Sequence, residues 1–211
     1  MRVGGAEPLS VKGCLELRPG LLLDRDGVIN EECDYLHDPK DLVMISGVDK
    51  AIAEINQCNI PVAVVSNQAG IGRGLYGVEA YNAVNRAIAD HLAQAGAHID
   101  AWYFCPHTPQ DACLCRKPLP GMLIEAAKDL SFYLRDAVFV GDKESDLAAA
   151  RAAGCRAVLV RTGYGQQVEK DLVAHGKGGL FDCCCDSLLA ALPFLKATLS
   201  RSFPPPPPDF T

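Results

Sequence analysis

Two acidic residues two positions apart, Asp24 and Asp26 in DRDG, follow directly on the apolar run LLL at 21–23. If the extended geometry of that run continues, both carboxylates leave on the same side. Such a pair suits a divided task, in which one carboxylate attacks an electrophile and its neighbour moves protons. Asp142, in VGDKESD, follows another apolar run and would complete an all-oxygen cluster of the kind Mg2+ favours, with several waters retained. The same D-x-D-G pattern opens calcium-binding EF-hand loops, but those need glycine at the sixth position and glutamate at the twelfth. Ile29 and Tyr35 stand there. Ser66 follows a third apolar run, and Lys117 lies further on. Alone, the first would read as a turn residue and the second as a solvated charge.

A second concentration of reactive side chains runs Cys105-x-His107-x5-Cys113-x-Cys115. Three sulfurs and one imidazole are a donor set that zinc prefers, and four filled positions leave none for water, so such a zinc is structural. The spacing is tighter than that of a zinc finger, and scattered structural thiols are the plainer reading. Arg116 and Lys117 follow Cys115 directly, so a metal that fixes the cysteine fixes both cations. The loop is too poor in apolar residues to order itself, and a zinc clamp would stand in for a small core. Of the other cysteines, Cys14, Cys33, Cys58 and Cys155 are isolated, while Cys183, Cys184 and Cys185 are consecutive and cannot comfortably bridge one another. With 211 residues the chain is not a short disulfide scaffold.

These groups need elements to position them. LLL at 21–23, PVAVVS at 61–66, AWYFC at 101–105, DAVFVGD at 136–142 and RAVLVRTG at 156–163 are continuous apolar runs, as strands covered on both faces are. Residues 78–95 place Val78, Tyr81, Val84, Ile88 and Leu92 at helical spacing, with Gly96 as a stop. Further helices are predicted over 120–130, over 145–153 with Ser145 as cap, and over 186–198. The alternation predicts one α/β domain, a three-layer α/β/α sandwich with a mostly parallel sheet and right-handed crossovers, over 20–198. Residues 1–19 read as an extension and 199–211, ending FPPPPPDFT, as a disordered proline-rich tail. In such sheets ligands bind outside the carboxyl ends of the strands, where Asp24, Ser66 and Asp142 fall. The connections are too short for a large cap domain.

A net charge of −6 argues against nucleic-acid binding and means that an anionic substrate must be met by local cations or a metal. No run approaches the roughly 20 apolar residues of a membrane helix. The N-terminus lacks the unbroken apolar segment of a signal peptide, so the protein is expected in the cytoplasm.

DRDGVIN after one strand, SNQ after the next, then RKP and finally GDKESD resemble the four ordered motifs of the haloacid dehalogenase (HAD) superfamily of phosphohydrolases. The resemblance implies that Asp24 is a nucleophile that takes the phosphoryl group, and that Asp26 is the acid and base. Ser66 and Lys117 would bind the transferring oxygens, and Mg2+ would be held by Asp24, the main-chain carbonyl of Asp26, and Asp142. SNQAGIGRG, CPHTPQDACLCRKPLPGM and VGDKESDLAAA are similar, within the superfamily, to the bacterial heptose bisphosphate phosphatases and to the histidinol-phosphate phosphatases, which share the zinc loop. By position this implies substrate contacts from Glu32, Cys33, Asp34, Tyr35, Asn67, Gln68, Ala69, Arg116 and Lys143. Arg116 would suit a second phosphate or sugar oxygens, and a structural salt bridge explains it equally. Lys143 has an ion pair with Asp142 as its plainer reading, and Asp146 reads equally as support for the metal or as a helix-dipole acid.

Gly70 to Gly74 lacks the Lys-Ser/Thr of a P-loop and reads as a flexible substrate loop, with Arg73 a contact. The resemblance is broken by Cys33, where a more polar residue is expected, by a shorter segment between His107 and Cys113, and by both ends. The expectation is a monomeric Mg2+-dependent phosphatase with a structural Zn2+. It would remove the 7-phosphate of a heptose bisphosphate during the making of nucleotide-activated heptose for surface glycans. Histidinol phosphate is the alternative substrate, and a non-enzymatic phosphoacceptor domain the alternative class.

Overall fold

Each continuous apolar run forms a strand in the computed structural model, which describes residues 18–200, and all but the half-buried edge strand at 101–105 are covered on both sides. The strands are β1 Leu21–Leu23, β2 Val62–Asn67, β3 Ala101–Cys105, β4 Val138–Gly141, β5 Arg156–Val160 and β6 Cys183–Cys185. They make one sheet of order β3-β2-β1-β4-β5-β6, and every pairing is parallel. The helices are α1 Val48–Asn56, α2 Ala69–Gly72, α3 Val78–Gln94, α4 Gly121–Asp129, α5 Glu144–Ala153, α6 Gly165–Ala174 and α7 Leu188–Leu199.

Strand side chains alternate between two cores. Leu21, Leu23, Val62, Val64, Val138 and Val140 pack with α1, α3 and α7, whereas Leu22, Ala63, Val65 and Phe139 pack with α4, α5 and α6. α3 turns Tyr81, Val84, Ile88 and Leu92 inward at the predicted spacing, and Gly96 ends it with φ 71°. Burying a leucine in such a core contributes about 1.5–3 kcal/mol, and Leu22→Ala would cost about 2–5 kcal/mol. Among the described residues the connections hold helices and loops and no second sheet, so the site has no large cap. No helix among them is long and apolar enough to cross a membrane.

Two local expectations are corrected, and two further elements were not expected. β5 stops at Val160, because the chain must turn where Gly163 adopts φ 57°. Ser145 lies within α5; the cap is Lys143, whose N–H donates to Asp146 Oδ2 at 3.0 Å. The cysteine triplet is the edge strand β6, and α6 precedes it. The expected extension at 1–19 and tail at 199–211 lie almost wholly outside the described residues; where they overlap, Arg18 bridges Phe132 and Leu199 is buried.

Candidate active site

The strand order reverses direction about β1 and β4, and the carboxyl ends of β1, β2 and β4 meet there, as the fold requires of a site. Asp24 leaves β1 and is 4% exposed, with its N–H bonded to the Val140 carbonyl at 2.9 Å. Lys117 reaches it from the far side of the zinc-type loop: Nζ lies 2.9 Å from Asp24 Oδ1 and 2.8 Å from Asp146 Oδ1, and donates to the Val65 carbonyl at 2.8 Å. Asn67 grips the same residue by its backbone, accepting from the Lys117 N–H and donating to the Lys117 carbonyl, both at 3.1 Å.

Asp142 is fully buried at the end of β4, and Oδ2 accepts the Tyr164 N–H at 2.9 Å. Two glycines let loops press on this carboxylate. A Cβ at Gly27 (φ 86°) or Gly163 (φ 57°) would stand 2.2 Å from Asp142 Oδ2. Burial, and then the charge of Asp24, push Asp142 up to about 8. Burial also raises Asp24, with Lys117 pulling against it. For Lys117, burial alone would favour the neutral amine, but Asp146 and Asp24 outweigh it and the pKa is raised.

Asp24, Asp142 and Asp146 each place an oxygen within 4.8 Å of the others, and Asp142 Oδ1 has no partner. Buried carboxylates so close repel unless a cation joins them, and an unpaired acceptor oxygen among them fits a hard divalent ion such as Mg2+. Asp146 spends its oxygens on Lys117 and on the Lys143 N–H, so it anchors the lysine and caps α5.

Asp26 faces the cleft with its side chain 14% exposed. Both its oxygens are held: Arg25 Nε donates at 3.1 Å and Nη2 at 3.0 Å, Asn30 Nδ2 at 2.9 Å and Gln68 Nε2 at 3.0 Å. The Gln68 amide also donates to Ser66 Oγ at 2.7 Å and accepts from the Tyr76 hydroxyl at 2.6 Å. Gln68 therefore ties the β2 hydroxyl to the β1 acid.

The four soft donors also converge. Cys105 Sγ is 3.5 Å from Cys113 Sγ and 3.2 Å from Cys115 Sγ, Cys113 is 3.4 Å from Cys115, and His107 Nδ1 is 3.3 Å from Cys115 Sγ. A tetrahedral zinc with ligands at about 2.3 Å would set sulfurs roughly 3.8 Å apart, so a small spreading of this set accepts the ion. Arg116, next in the chain, donates to the His107 carbonyl at 3.1 Å.

A cleft of about 240 Å3 opens over Asp26. Its walls gather Glu32, Cys33, Asp34, Tyr35, Asn67, Gln68, Ala69, Arg73, Arg116 and Lys143, all the residues named from sequence as substrate contacts. Lys143 pairs with Glu32 Oε2 at 2.6 Å rather than with Asp142, and its Nζ stands 5.0 Å from the Tyr164 ring centroid. Arg73 bonds the Tyr35 hydroxyl, and His37 stacks on Tyr76 with centroids 5.6 Å apart, which joins the loop after β1 to that after β2. Sequence reasoning missed Arg25, Tyr76 and Tyr164. Tyr164 was open to the rule that found the others, since TGY follows the apolar run of β5.

A model of the HAD-hydrolase-like family matches residues 114–181. The chain is 40% identical over 148 residues to the D-glycero-beta-D-manno-heptose-1,7-bisphosphate 7-phosphatase of Bordetella bronchiseptica, covering 70% of this chain and 83% of that protein. It is 37% identical over 194 residues to the corresponding enzyme of Thermosynechococcus vestitus, covering 87% and 98%. The crystal structure of D,D-heptose 1,7-bisphosphate phosphatase from B. bronchiseptica complexed with magnesium and phosphate superposes with a TM-score of 0.76 at 37% identity, over 84% of this chain and 98% of that one.

Proposed function

Because the chain belongs to the D-glycero-D-manno-heptose-1,7-bisphosphate 7-phosphatase family of HAD-like hydrolases, we propose that it removes the 7-phosphate of that bisphosphate through an aspartyl-phosphate on Asp24. Asp24 attacks the phosphorus. Lys117 Nζ, 2.9 Å from the attacking carboxylate, and Ser66 Oγ meet the phosphoryl oxygens where charge gathers in the transition state. Asp26 gives a proton to the departing sugar oxygen, then takes one from the water that cleaves the intermediate. Asp24 and Asp142, with the main-chain carbonyl of Asp26, would hold Mg2+, which when bound offsets the negative charge shared by carboxylates and phosphate. Cys105, His107, Cys113 and Cys115 would hold a structural Zn2+.

The observation that carries this reading is the Lys117 ammonium seated between Asp24 and Asp146, with Asp142 beside them. Arg73, Arg116 and Lys143 line the cleft and offer donors to a second phosphate, while Glu32 and Asp34 beside them offer acceptors to sugar hydroxyls. The test compares kcat/KM for heptose 1,7-bisphosphate and histidinol phosphate in the wild type and in Asp24→Asn. The bisphosphate should be preferred and the variant inert with its fold intact. A large preference for histidinol phosphate overturns the substrate, and an active Asp24→Asn overturns the nucleophile.

A further inference from the structure

Arg25 stands between the two working aspartates yet takes no part in the steps above. It is the largest of the fully buried side chains among the described residues, at 0% exposure, and it does not line the cleft. A guanidinium stays charged at any ordinary pH, so burying one is costly unless its donors and its charge are met. Here they are met by the acid-base residue and by α3. Nε and Nη2 form a two-point fork on the Asp26 carboxylate, at 3.1 and 3.0 Å. Nη1 donates to Asn85 Oδ1 at 3.3 Å, Nη2 also reaches Gln68 Oε1 at 3.4 Å, and Cζ lies 5.2 Å from the Tyr81 ring centroid. Tyr81 and Asn85 are one turn apart on the buried face of α3.

The geometry points to Arg25 as a positioning residue: seated on α3, its fork fixes the plane and the place of the Asp26 carboxyl group at the wall of the cleft. This deepens the reading above and rests on Asp26 being the acid and base. In the first step the sugar O–P bond breaks, the phosphoryl group passes to an Asp24 oxygen, and the Asp26 proton goes to the sugar oxygen. In the second, Asp26 accepts a proton from water as water attacks the phosphorus and the Asp24 O–P bond breaks. Arg25 exchanges no proton in either step. It sets where Asp26 stands for both.

A residue that merely fills the core would slow every substrate alike. A positioning residue for the acid slows those whose leaving oxygen needs a proton. A sugar alkoxide needs one, whereas p-nitrophenolate departs without it. The experiment measures kcat/KM for heptose 1,7-bisphosphate and for p-nitrophenyl phosphate in the wild type, Arg25→Met and Arg25→Lys. Arg25→Met should lose about 100-fold on the sugar phosphate, the scale of general acid catalysis, and less than about fivefold on the aryl phosphate. Arg25→Lys should recover part of the loss.

Should Arg25→Met fail to fold, Asn85→Ala, which removes the anchor on α3, should show the same selectivity at about tenfold. Equal losses on both substrates in a folded variant overturn the proposal and leave the phosphatase reading standing. A wild type that turns over the aryl phosphate but no sugar phosphate overturns that reading, and the proposal with it.

Discussion

Replacing Lys117 with methionine keeps the length of the side chain and deletes its charge. The ammonium sits 2.9 Å from Asp24 and 2.8 Å from Asp146, with every partner side chain 5% exposed or less. At an effective dielectric of about 20, each contact carries roughly 6 kcal/mol of attraction. Desolvation offsets most of that, and removing one member of such a buried set costs about 3–5 kcal/mol, since the others are left without a counter-charge. Urea unfolding without Mg2+ should show a loss of that size. Mg2+ should then restore more stability to Lys117→Met than it adds to the wild type, because the acids have lost their internal cation and bind an external one more strongly. Turnover should still fall by about 10²–10³, as when one transition-state donor is removed. In a double-mutant cycle, Asp146→Asn should cost less in the methionine background than alone. An unchanged urea midpoint, or a Mg2+ response no larger than that of the wild type, would refute the placement of Lys117 as the counter-charge of this cluster.

Removing the zinc by Cys115→Ser should abolish zinc in metal analysis and raise KM at least about tenfold, while the urea midpoint moves less, since Cys115 only borders the core that Leu22, Val65 and Phe139 fill; an unchanged KM contradicts this. Burial, then Asp24, hold Asp142 up to about 8 without metal, against 3.8 for the free side chain. Its contribution to metal-free stability is therefore present at low pH and lost as pH rises through about 8, while Mg2+ affinity rises over the same window as the proton ceases to compete; titration calorimetry giving equal Kd at about pH 6.5 and 8.5 would speak against it. Gly27→Ala puts a Cβ 2.2 Å from Asp142 Oδ2 at a φ of 86°, and should weaken Mg2+ binding and cost about 1–3 kcal/mol in unfolding free energy; a variant with wild-type Mg2+ affinity would show that the loop gives way instead.

Asp24, Ser66 and Asp142 were legible because each directly follows a run buried on both faces, and the parallel topology brings such ends to one rim. Lys117 was legible through Cys115, two residues before it. Tyr164 apart, what escaped had no local signal. β6 is built from Cys183–Cys185 between two aspartates, without the β-branched run that marks a strand, and α6 buries just Gly165 and Leu172. Arg25 was hidden by a sound default, that arginine lies at the surface. Its burial follows from Tyr81 and Asn85, which α3 delivers from more than fifty residues away. Of the two readings that sequence left level for Asp146, the one at the start of α5 is met by the oxygen that accepts the Lys143 N–H, while the other oxygen holds Lys117.

Asn67 holds Lys117 through main-chain atoms, as an adjacent strand would. That grip is indifferent to which side chains fill the loop between Cys105 and Cys115, provided the metal-binding positions are kept. The Lys117 ammonium is thus held by the sheet, while Arg116, one residue earlier and fastened to the His107 carbonyl, travels with the loop. A graft of a differently composed loop should exchange the selectivity of the cleft without retuning its chemistry, which makes this segment a natural unit of divergence among enzymes that share the scaffold.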